Sequence, residues 1–260
     1  MPSPHPSPWQ RATAGAVHAY TATGAVLALL MVHLSYTGEV VVVLWLFLLA
    51  MVIDGTDGFL ARRFRVAEVW PGFDGALLDN IVDYLTYAFA PMVLLWSAGY
   101  LPDGWLGGVV AAVPLLASCV QFSRADAKTE DHFFLGFPSY WNVAAFYIVV
   151  LGAGTALTTA VLLVLSGLVF VPIRYVYPSR TVVAWQVTMT LTVAWMVLYA
   201  VVLLQFPSPS LWLVALSAGY LVYYAALSLH LTLARRRDGA APDPEAVASG
   251  PGRADGPDSP

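Results

Sequence analysis

The stretch EVVVVLWLFLLAMVIDGTDGFLARRFRVAEVWPGFDGALLDNIVDY (residues 39–84) decides the architecture. It opens on an apolar run that reaches Ile53. It turns acidic at Asp54 and Asp57 and basic at Arg62, Arg63 and Arg65, then becomes apolar again around Asp79 and Asp83. A hydrocarbon core ~30 Å thick is crossed by roughly 20 mostly apolar residues in a helix. The pattern is therefore two neighbouring spans, each carrying a pair of aspartates near the end that meets a shared basic loop.

The rest of the chain fits a lipid environment. Of its 260 residues, 59% are hydrophobic and 11% are charged, and the mean hydropathy is +0.71. Soluble domains carry about 25% charged residues. The net charge of −4, with no basic block, argues against a nucleic-acid partner. The single cysteine, Cys119, excludes an internal disulfide and a cysteine-based zinc cluster, and is read as a packed apolar residue. The N-terminal residues lack the basic and apolar blocks of a cleaved signal peptide.

Working outward, apolar runs predict an all-α, polytopic membrane bundle of eight helices, near 15–36, 39–60, 75–97, 104–122, 140–153, 155–173, 183–204 and 210–232. The fifth and sixth are joined only by Gly152–Thr155, so one long broken segment is the alternative there. Residues 12–232 form the membrane domain, with disordered tails at 1–11 and 233–260. All 12 Lys and Arg fall on one side of this scheme, at Arg11, Arg62–Arg65, Arg124, Lys128, Arg174, Arg180 and Arg235–Arg253. Positive charge marks the cytoplasmic side, so both termini are expected there.

Asp54 and Asp57 are three apart and Asp79 and Asp83 four apart, so each pair projects from one helix face. Four carboxylates at one membrane depth repel one another and are costly to insert. Divalent cations offset both effects. Carboxylate oxygens without His or Cys suit Mg²⁺ or Mn²⁺, and two such ions can clamp a diphosphate. The plainer reading pairs the acids with Arg62, Arg63 and Arg65.

Asp54-x2-Asp57-Gly58-x2-Ala61-Arg62, followed by Gly75-x3-Asp79-x3-Asp83, closely resembles the signature of the CDP-alcohol phosphotransferases. One departure is visible: the family's usual gap between the Arg and the second Gly is eight residues, and here twelve separate Arg62 from Gly75. The resemblance implies metal ligation by Asp54, Asp57, Asp79 and Asp83, with two Mg²⁺ or Mn²⁺ ions, and Asp83 as catalytic base. It implies contact with CDP-diacylglycerol at Gly58, Ala61, Arg62 and Gly75. LLDNIVDYLTYAFAPMVLL and QFSRADAKTEDHFFLGFPSYWNVAAFYIVVL are similar to the bacterial members whose acceptor is choline. Phosphatidyl transfer to choline with release of CMP, in the bacterial inner membrane and by a homodimer, is the activity so implied.

Choline's trimethylammonium group cannot donate hydrogen bonds and is held by aromatic faces and carboxylates. Tyr84, Glu130, Tyr140, Trp141 and Asn142 are the expected pocket, within a run that also holds Tyr87, Phe133, Phe134, Phe137, Tyr147, Asp131 and His132. An interfacial aromatic belt is the alternative. Arg124, Lys128, Arg174 and Arg180 keep a phosphorylated acceptor open, glycerol phosphate or inositol phosphate, and serine is a further alternative within the family. A reading of another class is an ion-coupled transporter, whose acids would relay cations.

Overall fold

The computed structural model describes residues 6–129, 131–181 and 183–240. Residues 1–5 and 241–260, which make up most of the expected tails, lie outside the described residues. Helix α1 (Pro8–Thr37) begins earlier than the sequence reading placed it. Ser7 and Gln10 form a reciprocal cap: the Gln10 N–H donates to the Ser7 hydroxyl at 3.2 Å, and the Ser7 N–H donates to the Gln10 side chain at 2.8 Å. Pro8 follows at the position where a missing N–H costs nothing. At the other end α10 (Leu211–Ala240) continues past residue 232. Helix therefore extends into both segments that were expected to be tails.

Helices α2 (Val40–Arg63) and α3 (Val66–Val69) come next. The four residues of α3 match the excess length of the Arg62–Gly75 gap. Val66 and Val69 pack on Ala14 and Val17 of α1, with Ala61 alongside, so the long loop has a small core of its own.

A continuous rod then runs through α4 (Gly75–Asp83), a π-helical segment (Tyr84–Phe89) and α5 (Ala90–Ser97). Pro91 has no N–H to donate to the carbonyl of Tyr87, and its ring crowds that turn, which widens the helix locally. α1 closes tightly on this rod. A Cβ at Gly24 would lie 2.4 Å from Val82 Cγ1.

The remaining helices are α6 (Trp105–Ser123), α7 (Trp141–Val150), α8 (Thr155–Val169) and α9 (Trp185–Leu204), followed by α10. Five helices, α1, α2, α6, α9 and α10, are long and apolar enough to cross a membrane. α7 and α8 are shorter, but they are two helices and not one broken segment. The chain reverses where the Ala153 N–H donates to the Ile148 carbonyl at 2.9 Å, and the Phe137 N–H, just before α7, reaches the Leu168 carbonyl at the end of α8.

The all-α expectation needs one correction. β1 (Phe133–Leu135) and β2 (Arg174–Val176) pair antiparallel, with Phe134 opposite Tyr175. Strands of three residues carry too little alternation to be seen in sequence. The free edge of β2 is covered by α10. Thr232 accepts from the Arg174 N–H at 2.9 Å, Ser228 accepts from the Val176 N–H at 3.1 Å, and Tyr224 donates to the Val176 carbonyl at 3.0 Å. The ribbon is thereby fixed to the end of the bundle that carries the aspartates.

Candidate active site

α2 brings Asp54 and Asp57, and α4 brings Asp79 and Asp83, to the same level beside α1. Carboxylate oxygens of Asp54, Asp57 and Asp79 all lie within 4.8 Å of one another. Thr21 of α1 donates to Asp57 Oδ2 at 2.8 Å, and Tyr87 of the π segment donates to Asp54 Oδ2 at 2.7 Å. Lys128 Nζ stands 3.6 Å from Asp79 Oδ2 and donates to Asn80 Oδ1 at 3.2 Å. Asp83 is buried and lines the same small cavity as the other three, with Thr21, Gly24 and Thr86, but it is not one of the oxygens that converge. The arrangement is three acids grouped together and a fourth beside them.

The donor set fits a hard divalent cation. Hydroxyls hold Asp54 and Asp57 in place, no His or Cys joins the group among the described residues, and Lys128, the one cation there within ion-pair distance of it, cannot neutralise three carboxylates. Oxygen-only sites of this kind suit Mg²⁺ or Mn²⁺, and hydroxyl partners behind the ligands orient them.

The cluster opens into a cleft of ≈ 1070 Å³. One wall is the 62–76 loop with α1; the other holds Lys128, Thr129, His132, Tyr177 and Arg180. Gly58, Ala61, Arg62 and Gly75 all line it. At Gly58 a Cβ would come 3.3 Å from Arg62 Nη1, so the guanidinium lies back along its own helix at the cleft. Gly75 has a packing reason as well, since a Cβ there would lie 3.0 Å from His18 Cε1.

The expected acceptor pocket is only partly assembled. Tyr140 packs its ring edge-on to Tyr87 at 6.0 Å and to Phe134 at 6.3 Å, and Phe134 meets Tyr177 at 4.5 Å. These four rings run from Asp54 to the cleft wall. Trp141, by contrast, is a core residue: it is fully buried and donates its indole N–H to Ser118 at 2.6 Å. One residue along from Tyr140 on a helix, it points to a different side. Tyr84 faces α6, edge-on to Phe122 at 6.1 Å and 3.4 Å from Cys119 Sγ. Cys119, expected to pack inside, is exposed. Asn142 is completely buried, its side-chain oxygen accepting from the Val143 N–H at 2.9 Å. Glu130 lies outside the described residues.

Asp131 is tied to Arg174 and Arg235, which joins the α6–α7 loop, the ribbon and α10. Partial burial works against its charge, but the Arg174 hydrogen bonds, Thr129 and the two guanidiniums outweigh it and hold Asp131 at about 2. Arg174 also lies over the Phe133 ring at 4.7 Å. Asp131 and Arg174 are thus committed to each other rather than to a ligand.

Nothing in the sequence marks Thr21, His18 or Gly24. A lone threonine, histidine or glycine in an apolar helix carries no signal until its neighbour is known.

Fold and site define a helical membrane protein whose carboxylate cluster opens onto a cleft at the loop end of the bundle. No family model matches the chain. It is 39% identical over 223 residues to the phosphatidylcholine synthase of Legionella pneumophila, covering 83% of this chain and 87% of that protein. To the phosphatidylcholine synthase of Legionella bozemanae it is 40% identical over 204 residues, covering 76% and 94%. For that of Pseudomonas aeruginosa the identity is 35% over 203 residues, covering 78% and 84%. The chain belongs to the phosphatidylcholine synthase family.

Proposed function

We propose that this protein transfers the phosphatidyl group of CDP-diacylglycerol to choline and releases CMP. The observation that carries the reading is the convergence of Asp54, Asp57 and Asp79 at the head of a cleft with an aromatic wall beside Asp54. Family membership supports the same activity.

Asp54, Asp57 and Asp79 would hold Mg²⁺ or Mn²⁺, two ions in our reading, which when bound supply charge neutralisation for the diphosphate. Phosphoryl transfer asks the protein mainly for positioning and charge compensation. Arg62 and Lys128, both at the cleft, add positive charge. Tyr87 and Thr21 fix the carboxylates that must not rotate. Tyr177, which lines the cleft, and behind it Phe134, Tyr140 and Tyr87 are the rings available to the trimethylammonium group. The choline oxygen attacks the lipid-bearing phosphorus as the bond to CMP breaks, and the hydroxyl proton passes to Asp83.

In this reading all eight helical units cross the bilayer, counting the 75–97 rod as one. Both termini and the cleft face the cytoplasm of a bacterium, and the enzyme sits in the inner membrane as a homodimer. Residues 12–232 make the catalytic membrane domain.

Purified protein given CDP-diacylglycerol with choline, serine, glycerol phosphate or inositol phosphate tests the proposal. CMP release and phosphatidylcholine formation with choline alone are expected. Use of another acceptor in preference to choline would reassign the aromatic wall to packing.

A further inference from the structure

His18 of α1, Trp70 and Phe73 form an aromatic stack that the aspartate chemistry does not require. His18 and Phe73 lie 4.2 Å apart, His18 and Trp70 5.8 Å, and Trp70 and Phe73 6.2 Å. Trp70 and Phe73 come from the long loop after α3, and α3 packs that loop onto α1. Buried rings would be mere packing, but Trp70 is 37% exposed and Phe73 43% exposed. His18 and Phe73 line the cleft that holds the aspartates. Among the described residues the His18 Nε2 has no hydrogen-bond partner, and the imidazole packs on the Trp70 and Phe73 rings.

We infer that this stack is a shelf for the nucleobase of the cytidine nucleotide, with Phe73 the ring that meets it, His18 beside it and Trp70 backing both. Spacing favours a base over an acyl chain. Phe73 precedes Gly75 by two residues, and Gly75 sits one α4 turn from Asp79, about 6 Å along the helix. A ribose bridges a comparable distance between a base and the first phosphate. Gly75 lets α4 start against His18 without a side chain between them, and Gly58 and Ala61, which line the same cleft, add little bulk to it. Every base has a π-face, and stacking on an aromatic side chain is tolerant of sequence. The shelf therefore supplies affinity for the nucleotide. The acceptor's aromatic wall lies across the aspartates, on Tyr87 and Tyr140.

The inference rests on the nucleotide substrate proposed above, and the test separates the two. CMP and inorganic pyrophosphate are titrated by calorimetry, in the presence of Mn²⁺, into the full chain in detergent. Phe73→Ala should weaken CMP binding roughly tenfold and leave pyrophosphate unchanged. Phe73→Trp should keep CMP affinity near the original, whereas Phe73→Leu, which keeps apolar bulk and the loop's packing without a π-face, should lose it as alanine does. Equal CMP affinity in Phe73→Leu, or a parallel loss for pyrophosphate, would overturn the shelf and return these rings to an interfacial belt. Pyrophosphate binding without any CMP binding by the unaltered chain would remove the nucleotide reading itself, and the shelf with it.

Discussion

Tyr87 reaches Asp54 across two helices with a hydrogen bond of 2.7 Å, and it does so from the stretch of its helix that is π-wound. Asp83 and Tyr87 are four apart, and both come to the aspartate side of the rod. Pro91 is the sequence cause of the widened turn. A residue four positions beyond the ring thus shapes the support of a carboxylate.

Tyr87→Phe should therefore leave folding intact and loosen Asp54. Partners behind ligands are typically worth ten- to a hundredfold in metal affinity or activity. An increase of about tenfold or more in the Mn²⁺ concentration needed for half-maximal rate, with an unchanged melting temperature, is the expected outcome. An unaltered metal requirement would leave Tyr87 only its place in the aromatic wall.

Removal of divalent cations with EDTA should abolish CMP release, and added Mg²⁺ or Mn²⁺ should restore it. Asp79→Asn should lose metal binding and turnover together. Asp83→Asn, beside the group and not in it, should lose turnover while retaining most of its Mn²⁺ binding, measured by electron paramagnetic resonance. Parallel loss of both in Asp83→Asn would make it a ligand.

The acceptor wall divides Tyr140 from its neighbour. Tyr140→Ala should raise the choline KM roughly tenfold, equivalent to about 1.4 kcal/mol, with little change for CDP-diacylglycerol. Trp141→Ala should instead cost stability, of the order of 3–5 kcal/mol for an emptied aromatic site, and affect both substrates through misfolding. A choline-selective defect in a stable Trp141→Ala protein would place that indole in the pocket after all.

Burial of Gly24 against Val82 predicts that Gly24→Ala is overpacked. Such insertions cost about 1–3 kcal/mol, and here the strain falls between α1 and the helix of Asp79 and Asp83. A lower melting temperature together with reduced activity is expected; Val82→Ala in the same chain should recover part of both.

The Asp131 clamp has a defined pH dependence. Its carboxyl is held at about 2, below the unfolded value near 3.9, so the clamp's contribution is fully present above pH 4 and is lost as pH falls from about 4 toward 2. Between pH 6 and 9 it should be silent. Asp131→Asn should speed proteolysis in the 124–140 loop at neutral pH, while in the unaltered chain the same cleavage should appear only on acidification.

Much of this was legible in the chain. The Asp54–Asp57 and Asp79–Asp83 spacings placed the acids because helical geometry alone relates residues three or four apart. All eight apolar runs became helical units for the same local reason. The burial of Trp141 against Ser118 is not legible, because density of aromatics in DHFFLGFPSYWN does not say which ring faces which way. Thr21 and the Thr232–Arg174 contact depend on partners 36 and 58 residues distant, and no local pattern encodes those. Ser7 and Gln10 did carry a readable cap, hidden by the prolines around them.

The α7–α8 hairpin has a consequence for the lipid around it. Helices of 10 and 15 residues stand only about 15 and 22 Å tall, beside a hydrocarbon core of ~30 Å. Mismatch of this kind thins the bilayer locally or draws polar ends inward. α7 has no exposed residue, whereas α8 exposes Leu157, Leu163 and Val164, so in the eight-span reading the dimple forms along α8. Membrane thickness, set by acyl length, then becomes a variable of the reaction: thin bilayers bring the water–lipid boundary down to the aspartates, and thick ones strain the hairpin that supports them.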